Sequence, residues 1–295
     1  MDNSLSLISP AKLNLFLHIT GRRRPDQEFS GYHELQTVFQ LLDRGDNMMF
    51  TATKKNSNIT ISPDIKDIKP EDNLVYKAAK LLQQKSKTTQ GALIHLEKNL
   101  PMGGGVGGGS SNAATTLLAL NHLWQTDINE HELAQLGAQL GADVPVFIYG
   151  KTAWAEGIGE CITPIEIKQD WYLILTPDCH VSTAEIFSHE GLTRDTPKQR
   201  IAPALEGHID KHFKNDFEEL VTKIYPQIRE ALNWLSKYGH ARLTGTGACC
   251  FCRFDSESTA QQVLNEAQSK FKGFIAKGVN LSPANQKLNE AKRSQ

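Results

Sequence analysis

Apolar and polar residues alternate from Lys12 to Ile19, in KLNLFLHI, with a period of two. Leu13, Leu15, Leu17 and Ile19 fall on one face of a strand, and Lys12, Asn14, Phe16 and His18 on the other. The same reasoning predicts strands in LQTVFQLLD (35–43), NMMFTAT (47–53), NITIS (58–62) and GALIHLEKNL (91–100). PEDNLVYKAAKLLQQK changes period. Leu74, Ala78, Leu81 and Leu82 recur at helical spacing behind Pro70 and Asp72, which mark the helix start. Ala113, Ala114, Leu117, Leu118, Leu120 and Trp124 predict a second helix, with Ser110 or Ser111 as its N-cap. A third runs through NEHELAQLGAQLG and ends at Gly141. ADVPVFIYG and KTAWAEGIGE read as short extended segments.

Beyond Glu160 the pattern begins a new unit. WYLILTP is a strand and STAEIFSHEG opens a helix. DFEELVTKIYPQIREALNWLSKYG is helical, with a break at Pro226. ARLTGTGACCFCRF is a strand, a glycine turn and a strand; a helix (SESTAQQVLNEAQSKF) and a strand (KGFIAKGVNL) follow. The second half therefore mixes helices with an antiparallel sheet.

Composition narrows the function. The chain has 295 residues, enough for two ordinary domains. With 32 basic against 33 acidic residues the net charge is -1, so no basic surplus calls for nucleic acid or an anionic membrane. No stretch approaches the ~20 apolar residues that span a bilayer, and the N-terminus lacks the basic-then-apolar pattern of a signal peptide. The five cysteines are odd in number and form no C-x-x-C pair, so they read as small buried hydrophobes of a reducing, cytoplasmic compartment.

The densest chemistry lies in NLPMGGGVGGGSSNAA (99–114). Glycines between a strand and a helix N-terminus suit a phosphate cradle, because backbone N–H groups point outward there and the helix dipole favours an anion. A Walker loop is excluded, since no lysine follows the glycines. G-x-G-x-x-G occurs at Gly103, Gly105 and Gly108, but glycine runs satisfy it cheaply and no strand ending in an acidic residue follows. A flexible linker would lack Pro101 before the run and the patterned helix after it.

The run does resemble the Pro-x-x-x-Gly-Leu-Gly-Ser-Ser-Ala motif of the GHMP kinase superfamily. Pro101, Gly105, Gly107 and Ser110–Ser111 fall in place, and Val106 stands where leucine is usual. SPAKLNLFLHITGRR, GYHELQTVF, LGADVPVF, AEGIGE and RLTGTGACCF extend the likeness from about Ser9 to about Pro283, to the 4-diphosphocytidyl-2-C-methyl-D-erythritol kinase family. The resemblance implies an α+β two-domain GHMP kinase fold. An N-terminal ribosomal S5 domain 2-like domain that binds ATP would occupy 1–159, and a C-terminal ferredoxin-like domain 160–295. It also implies transfer of the ATP γ-phosphate to the 2-hydroxyl of a cytidine-diphosphate-linked polyol in the non-mevalonate (MEP) isoprenoid pathway.

Residue roles follow from the same resemblance. Asp143 is the expected general base, Lys12 its partner beside the acceptor hydroxyl, and Asn14 a ligand of the polyol. Taken alone, Asp143 would cap a helix end and Lys12 would snorkel from a strand. The strand pattern, however, puts Lys12 and Asn14 on one face. Tyr32 and His33 offer a ring to stack on a pyrimidine and a polar edge to read it, with Phe187 as a second aromatic wall. Asn73 and Lys98 match positions near adenosine. Pro101, Met102, Gly103, Gly104, Gly105, Val106, Gly107, Gly108, Gly109, Ser110 and Ser111 would hold the triphosphate, with the Gly245–Gly247 turn packed beside them. Magnesium is expected because phosphoryl transfer needs its charge neutralised. The family's serine ligand is present, but no matching glutamate is legible. Arg22, Arg23 and Arg24 read as a solvated loop.

One departure is the QEFS insert at 27–30, read as a surface bulge. A sibling kinase for another small alcohol lacks a reason for GYHEL, and a non-catalytic nucleotide sensor lacks one for Lys12 with Asp143. The expected partner is a small-molecule substrate, with no nucleic acid and no membrane, in a monomer or homodimer.

Overall fold

The computed structural model describes residues 3–26, 30–64, 68–202 and 213–293. The fold is built on two long strands. β1 (Ser4–Arg22) pairs antiparallel with β2 (His33–Thr53) along nearly its whole length. β2 is continuous where the sequence predicts two strands. Gly45 explains the difference, since a Cβ there would lie 2.0 Å from the Ser9 carbonyl oxygen. The missing side chain lets β1 pair with Gly45 and Asp46, and Asp46 is carried into the interior instead of into a turn.

The other edge of β2 serves three partners in succession. Leu35–Phe39 pair with β5 (Ala153–Gly157), Leu41 and Leu42 meet β10 (Lys272–Val279), and Asn47–Thr53 pair with β4 (Gly91–Glu97). β3 (Ile59–Ser62) adds parallel to β4, and β6 (Cys161–Pro164) adds to β5. Through β10 the sheet continues into β7 (Trp171–Thr176), β9 (Cys250–Phe254) and β8 (Arg242–Leu243), all antiparallel.

Helices cover each half. α1 (Leu74–Ser86), α2 (Gly108–Leu123), α3 (Glu130–Ala138) and α4 (Val144–Tyr149) bury Leu82, Leu117, Leu133 and Phe147 against β2 and β4. α5 (Thr183–Ser188), α6 (Glu218–Ile224), α7 (Pro226–Leu235) and α8 (Glu257–Ala267) build a second core with Ile186, Val221, Ile228 and Val263. The break between α6 and α7 falls at Pro226 as expected. α9 (Pro283–Arg293), which the pattern did not predict, returns Leu288 to the first core. A third cluster, with Leu13, Phe16, Trp154, Tyr172 and Phe274, joins the two halves. The mixed α+β architecture is thus the expected one.

Three local expectations are corrected. VPVFIY is helix α4, not an extended segment. Pro145 sits in its first turn, where no N–H is needed, and Gly150 ends it in the left-handed region. Val144 and Ile148 close on Gly137 of α3, where a Cβ would come within 2.8 Å of each. A short, fully buried apolar run fits either element, and here tertiary packing decides.

The N-cap of α2 is Gly107 (φ 74°), not a serine, so the helix starts a turn early and Ser110 and Ser111 lie inside it. In β1 the alternation holds only to Asn14. The register shifts between Asn14 and Leu17, so Phe16 joins Leu13 in the core while Leu17 faces the same cavity as Lys12 and Asn14. No helix among the described residues is long and apolar enough to cross a membrane.

Gly45→Ala is expected to lower stability by about 3 kcal/mol or more, because backbone, not a flexible side chain, stands in the way. Gly21→Ala, whose nearest obstacle is the end of the Glu34 side chain at 3.8 Å, should stay within about 0.5 kcal/mol. Urea denaturation of the two variants tests the contrast.

Candidate active site

A cleft of about 1080 Å³ runs between the two halves. The glycine loop, β1, the Ala142–Asp143 segment before α4 and the 245–247 turn wall one end; the 31–35 segment and α5 wall the other. Every residue given a catalytic, nucleotide or substrate role from the sequence lines it except Ser111; of the three loop arginines only Arg22 does.

Lys12 occupies the junction. Its side chain is 3% exposed, and an ammonium so buried costs several kcal/mol unless its protons are taken. All three are engaged. Nζ donates to Asn14 Oδ1 at 2.6 Å and to the Gly105 carbonyl at 3.0 Å, and pairs with Asp143 Oδ2 at 3.3 Å. The Phe39 ring lies 5.5 Å below. One cation therefore ties β1 to the glycine loop and to the start of α4. Asp143 stands at the N-cap position of α4, yet its carboxylate caps nothing. It faces Lys12 and is 34% exposed, open to the cleft. The role of a local helix cap is thus excluded.

Asn14 is fixed from both ends. Its Nδ2 donates to Thr37 Oγ1 at 2.9 Å, and its backbone N–H donates to Thr244 Oγ1 at 3.0 Å. Thr244 in turn donates to the Gly105 carbonyl at 3.2 Å. Gly104 accepts from the Cys249 N–H at 3.1 Å, and the Lys12 N–H donates to the Val106 carbonyl at 3.0 Å. The 244–249 turn and the glycine loop are therefore in backbone contact. A Cβ on Gly105, whose φ is 76°, would lie 2.3 Å from the Thr244 carbonyl oxygen. Asn215 holds the turn from behind through Nδ2 bonds to the Leu243 and Gly245 carbonyls, at 2.9 and 2.8 Å.

The first backbone bond of α2 runs from the Ser111 N–H to the Gly107 carbonyl. The N–H groups of Gly108, Gly109 and Ser110 precede it and have no acceptor within the helix. All three residues line the cleft. Ser111 is turned inward: its Oγ accepts from Ser9 Oγ at 2.8 Å and is fully buried.

Lys98, on the same wall, pairs with Asp46 and donates to Asn112 Oδ1 at 3.1 Å. Asp46 is 0% exposed and also accepts the Asn99 and Leu100 N–H groups at 2.8 and 2.9 Å, fixing the segment that leads into the glycines. Asn73 caps α1 by accepting the Val75 N–H at 2.9 Å.

At the far end His33 and Phe187 lie with ring centroids 5.1 Å apart, and Phe217 meets Phe187 edge-on at 4.8 Å. Tyr32 is 57% exposed at the rim. His33 Nε2 accepts from Arg194 Nε at 3.0 Å. Burial, then Arg194 and Arg22, push the His33 imidazole below its ordinary value. Arg23 pairs with Glu160 and Arg22 bonds the Gly31 carbonyl at 2.8 Å, so both serve the loop's own structure. Of the insert, residues 27–29 lie outside the described residues.

Burial raises the Cys249 thiol to about 12 and the Cys250 thiol well above its usual range, so neither is a thiolate ligand. Among the described residues no three His, Cys, Asp or Glu side chains group to hold a metal. Asp46, Thr37, Thr244, Asn215 and Arg194 were not found from the sequence. Asp46 reads as a turn residue and the others carry no periodic signal.

Comparison with known proteins identifies the family. Residues 73–151 match the GHMP kinases N terminal domain, and 201–273 the GHMP kinases C terminal domain. The chain is 53% identical to the 4-diphosphocytidyl-2-C-methyl-D-erythritol kinase of Hahella chejuensis, over 99% of this chain and 98% of that one. It is also 53% identical to that of Marinobacter nauticus, over 99% and 100%. A crystal structure of 4-(cytidine 5'-diphospho)-2C-methyl-D-erythritol kinase superposes with a TM-score of 0.79 at 26% identity, covering 93% of this chain and all of that one. Homoserine kinase from Cytophaga hutchinsonii, at 15% identity and a TM-score of 0.67, covers 96% and 97% and shares the fold. The chain belongs to the GHMP kinases and, within them, to the 4-diphosphocytidyl-2-C-methyl-D-erythritol kinase family.

Proposed function

We propose that this kinase transfers the γ-phosphoryl group of ATP to the 2-hydroxyl of 4-diphosphocytidyl-2-C-methyl-D-erythritol. The observation that carries the reading is the Lys12 ammonium, held between the Gly105 carbonyl and the Asp143 carboxylate at one end of a cleft with an aromatic far end. The free N–H groups of Gly108, Gly109 and Ser110 receive the phosphates, with Lys98 and Asn73 towards the nucleoside. Asn14 orients the polyol, and Tyr32, His33 and Phe187 receive the cytosine.

The acceptor is a tertiary alcohol and must lose its proton as it attacks. Asp143 accepts that proton. The new bond forms from the alcohol oxygen to the γ-phosphorus while the bond to the β,γ-bridging oxygen breaks, and ADP leaves. Lys12 pairs with the Asp143 carboxylate at 3.3 Å and offsets charge on the moving phosphoryl group. Magnesium would arrive with the nucleotide and neutralise phosphate charge. The donors fit that mode, since among the described residues Asp72 and Asp143 are the carboxylates lining the cleft and Ser110 adds a hydroxyl, leaving phosphate and water oxygens to complete the shell.

The deciding assay incubates the purified chain with Mg-ATP and the cytidylate and follows ADP. Turnover of mevalonate or homoserine instead overturns the substrate, and binding without turnover favours a sensor. Asp143→Asn should lower kcat by roughly 10²–10⁴. Near-full turnover of that variant removes the base assignment.

Gly105→Ala forces the two glycine turns apart and should raise KM for ATP at least about tenfold, since a misplacement of about 1 Å can cost 10²-fold. A third expectation concerns pH. The His33 value lies below 6.5 in the folded chain, so the ring is neutral at pH 7 and above. KM for the cytidylate should be flat there and rise only as pH falls beneath about 6.5, when a charged ring can no longer accept from Arg194. A rise already beginning above pH 7 would contradict it.

A further inference from the structure

Arg194, on the segment that follows α5, makes contacts out of proportion to its place on a surface loop. Its Nε donates to His33 Nε2 at 3.0 Å, Nη1 to the Leu192 carbonyl at 3.1 Å, and Nη2 to the Phe187 and His189 carbonyls at 3.0 and 2.7 Å. A guanidinium is always charged and carries donors only. The ring nitrogen it faces must therefore hold the lone pair. His33 Nε2 is the acceptor, and the proton of the neutral ring sits on Nδ1. The three carbonyls keep the guanidinium from turning away. Two of them belong to the end of α5, so the same side chain also fixes Phe187, the ring beside His33.

We infer that Arg194 is a positioning residue that locks His33 as an Nδ1–H donor, and that this lock makes the site choose cytosine over uracil. The inference rests on the reading above, that the aromatic end of the cleft receives a pyrimidine. The two bases differ in one respect that matters here. Cytosine N3 is an acceptor, whereas uracil N3 carries a hydrogen and is a donor. A locked N–H donor pairs with the first and opposes the second. A histidine free to exchange tautomers would answer uracil by presenting a lone pair, and discrimination would vanish. Sites that leave buried polar groups unpaired against the wrong substrate reject it by large factors, up to 10⁴–10⁵. The positive charges facing the ring, Arg194 and Arg22, both oppose its protonation and so keep it in the neutral form that the lock requires.

The test pairs a spectroscopic and a kinetic readout. In ¹⁵N-histidine-labelled protein at pH 7.5, the His33 ring should show a protonated Nδ1 and an unprotonated Nε2. Arg194→Met should shift it towards the other tautomer, and Arg194→Lys, which keeps a donor, should largely hold it. Wild-type kcat/KM for the 4-diphosphocytidyl substrate should exceed that for its uridyl analogue by at least about 10². In Arg194→Met the ratio should fall below about ten through a higher KM for the cytidylate, with KM for ATP unmoved; Arg194→Lys should restore most of it.

A protonated Nε2 in the wild type overturns the lock. An unchanged ratio in Arg194→Met overturns the specificity. If that variant fails to fold, the wild-type spectrum and Arg194→Lys still decide. A wild type that turns over neither pyrimidine substrate refutes the function proposed above, while the spectrum separately reports whether the lock exists.

Discussion

The structure is organised around a buried ammonium that cannot be left unpaired. Lys12 lies on the longest-paired strand of the sheet, beneath the mouth of the cleft, with almost no access to water. Its three acceptors come from β1 itself, from the glycine loop, and from the first position of α4. Losing any one leaves a buried charge partly unsatisfied, at a cost of a few kcal/mol, so the three elements are held in one arrangement. A single electrostatic requirement thereby aligns the Asp143 carboxylate with the glycine loop.

A second layer of polar contacts sets the first. Thr37 and Thr244 fix Asn14, Asp46 fixes Lys98 and the Asn99–Leu100 amides, and Asn215 fixes the Gly245 turn. None of these groups needs to touch a substrate. Each satisfies a buried donor or acceptor that would otherwise carry a desolvation cost of about 1–3 kcal/mol, and in doing so removes a degree of freedom from a group that faces the cleft. Arg194 does for His33 what Asp46 does for Lys98.

Sequence reasoning reached the parts governed by local rules. The period of β1 put Lys12 and Asn14 on one face, and that holds because the strand is regular from Lys12 to Asn14. It failed two residues later, because a register shift has no signature in side-chain chemistry and moves Leu17 to the cleft side. The helix after the glycines was legible from its apolar repeat, but not its first turn, which depends on Gly107 adopting φ 74°. α4 was missed because five consecutive buried residues, Val144 to Ile148, have no period to read. Asp46 was missed because Gly45 beside it looks like a turn until the Ser9 backbone is seen to cross there. Arg194 was illegible in principle: its meaning lies in contacts across 161 residues of chain.

The glycines themselves answer to two demands rather than one. Under the proposed function a phosphate cradle needs exposed N–H groups, and that demand would account for Gly108 and Gly109, whose added Cβ atoms would meet nothing closer than 3.4 Å. It does not account for the others. Gly104 is pressed by Cys249 Sγ, Gly105 by the Thr244 carbonyl, and Gly107 by the Phe147 ring and Lys12 Cε, at 2.6, 2.3, 2.8 and 3.1 Å from an added Cβ. These three are thinned by protein, not by ligand. They let the loop be gripped between the second glycine turn and α4, and a gripped loop presents its amides in one geometry rather than many. The density of glycine in this stretch therefore reflects preorganisation as much as access. A loop built with glycine only where a phosphate approaches would expose the same N–H groups but would first have to be ordered by the nucleotide, and binding energy spent on ordering is lost to the transition state.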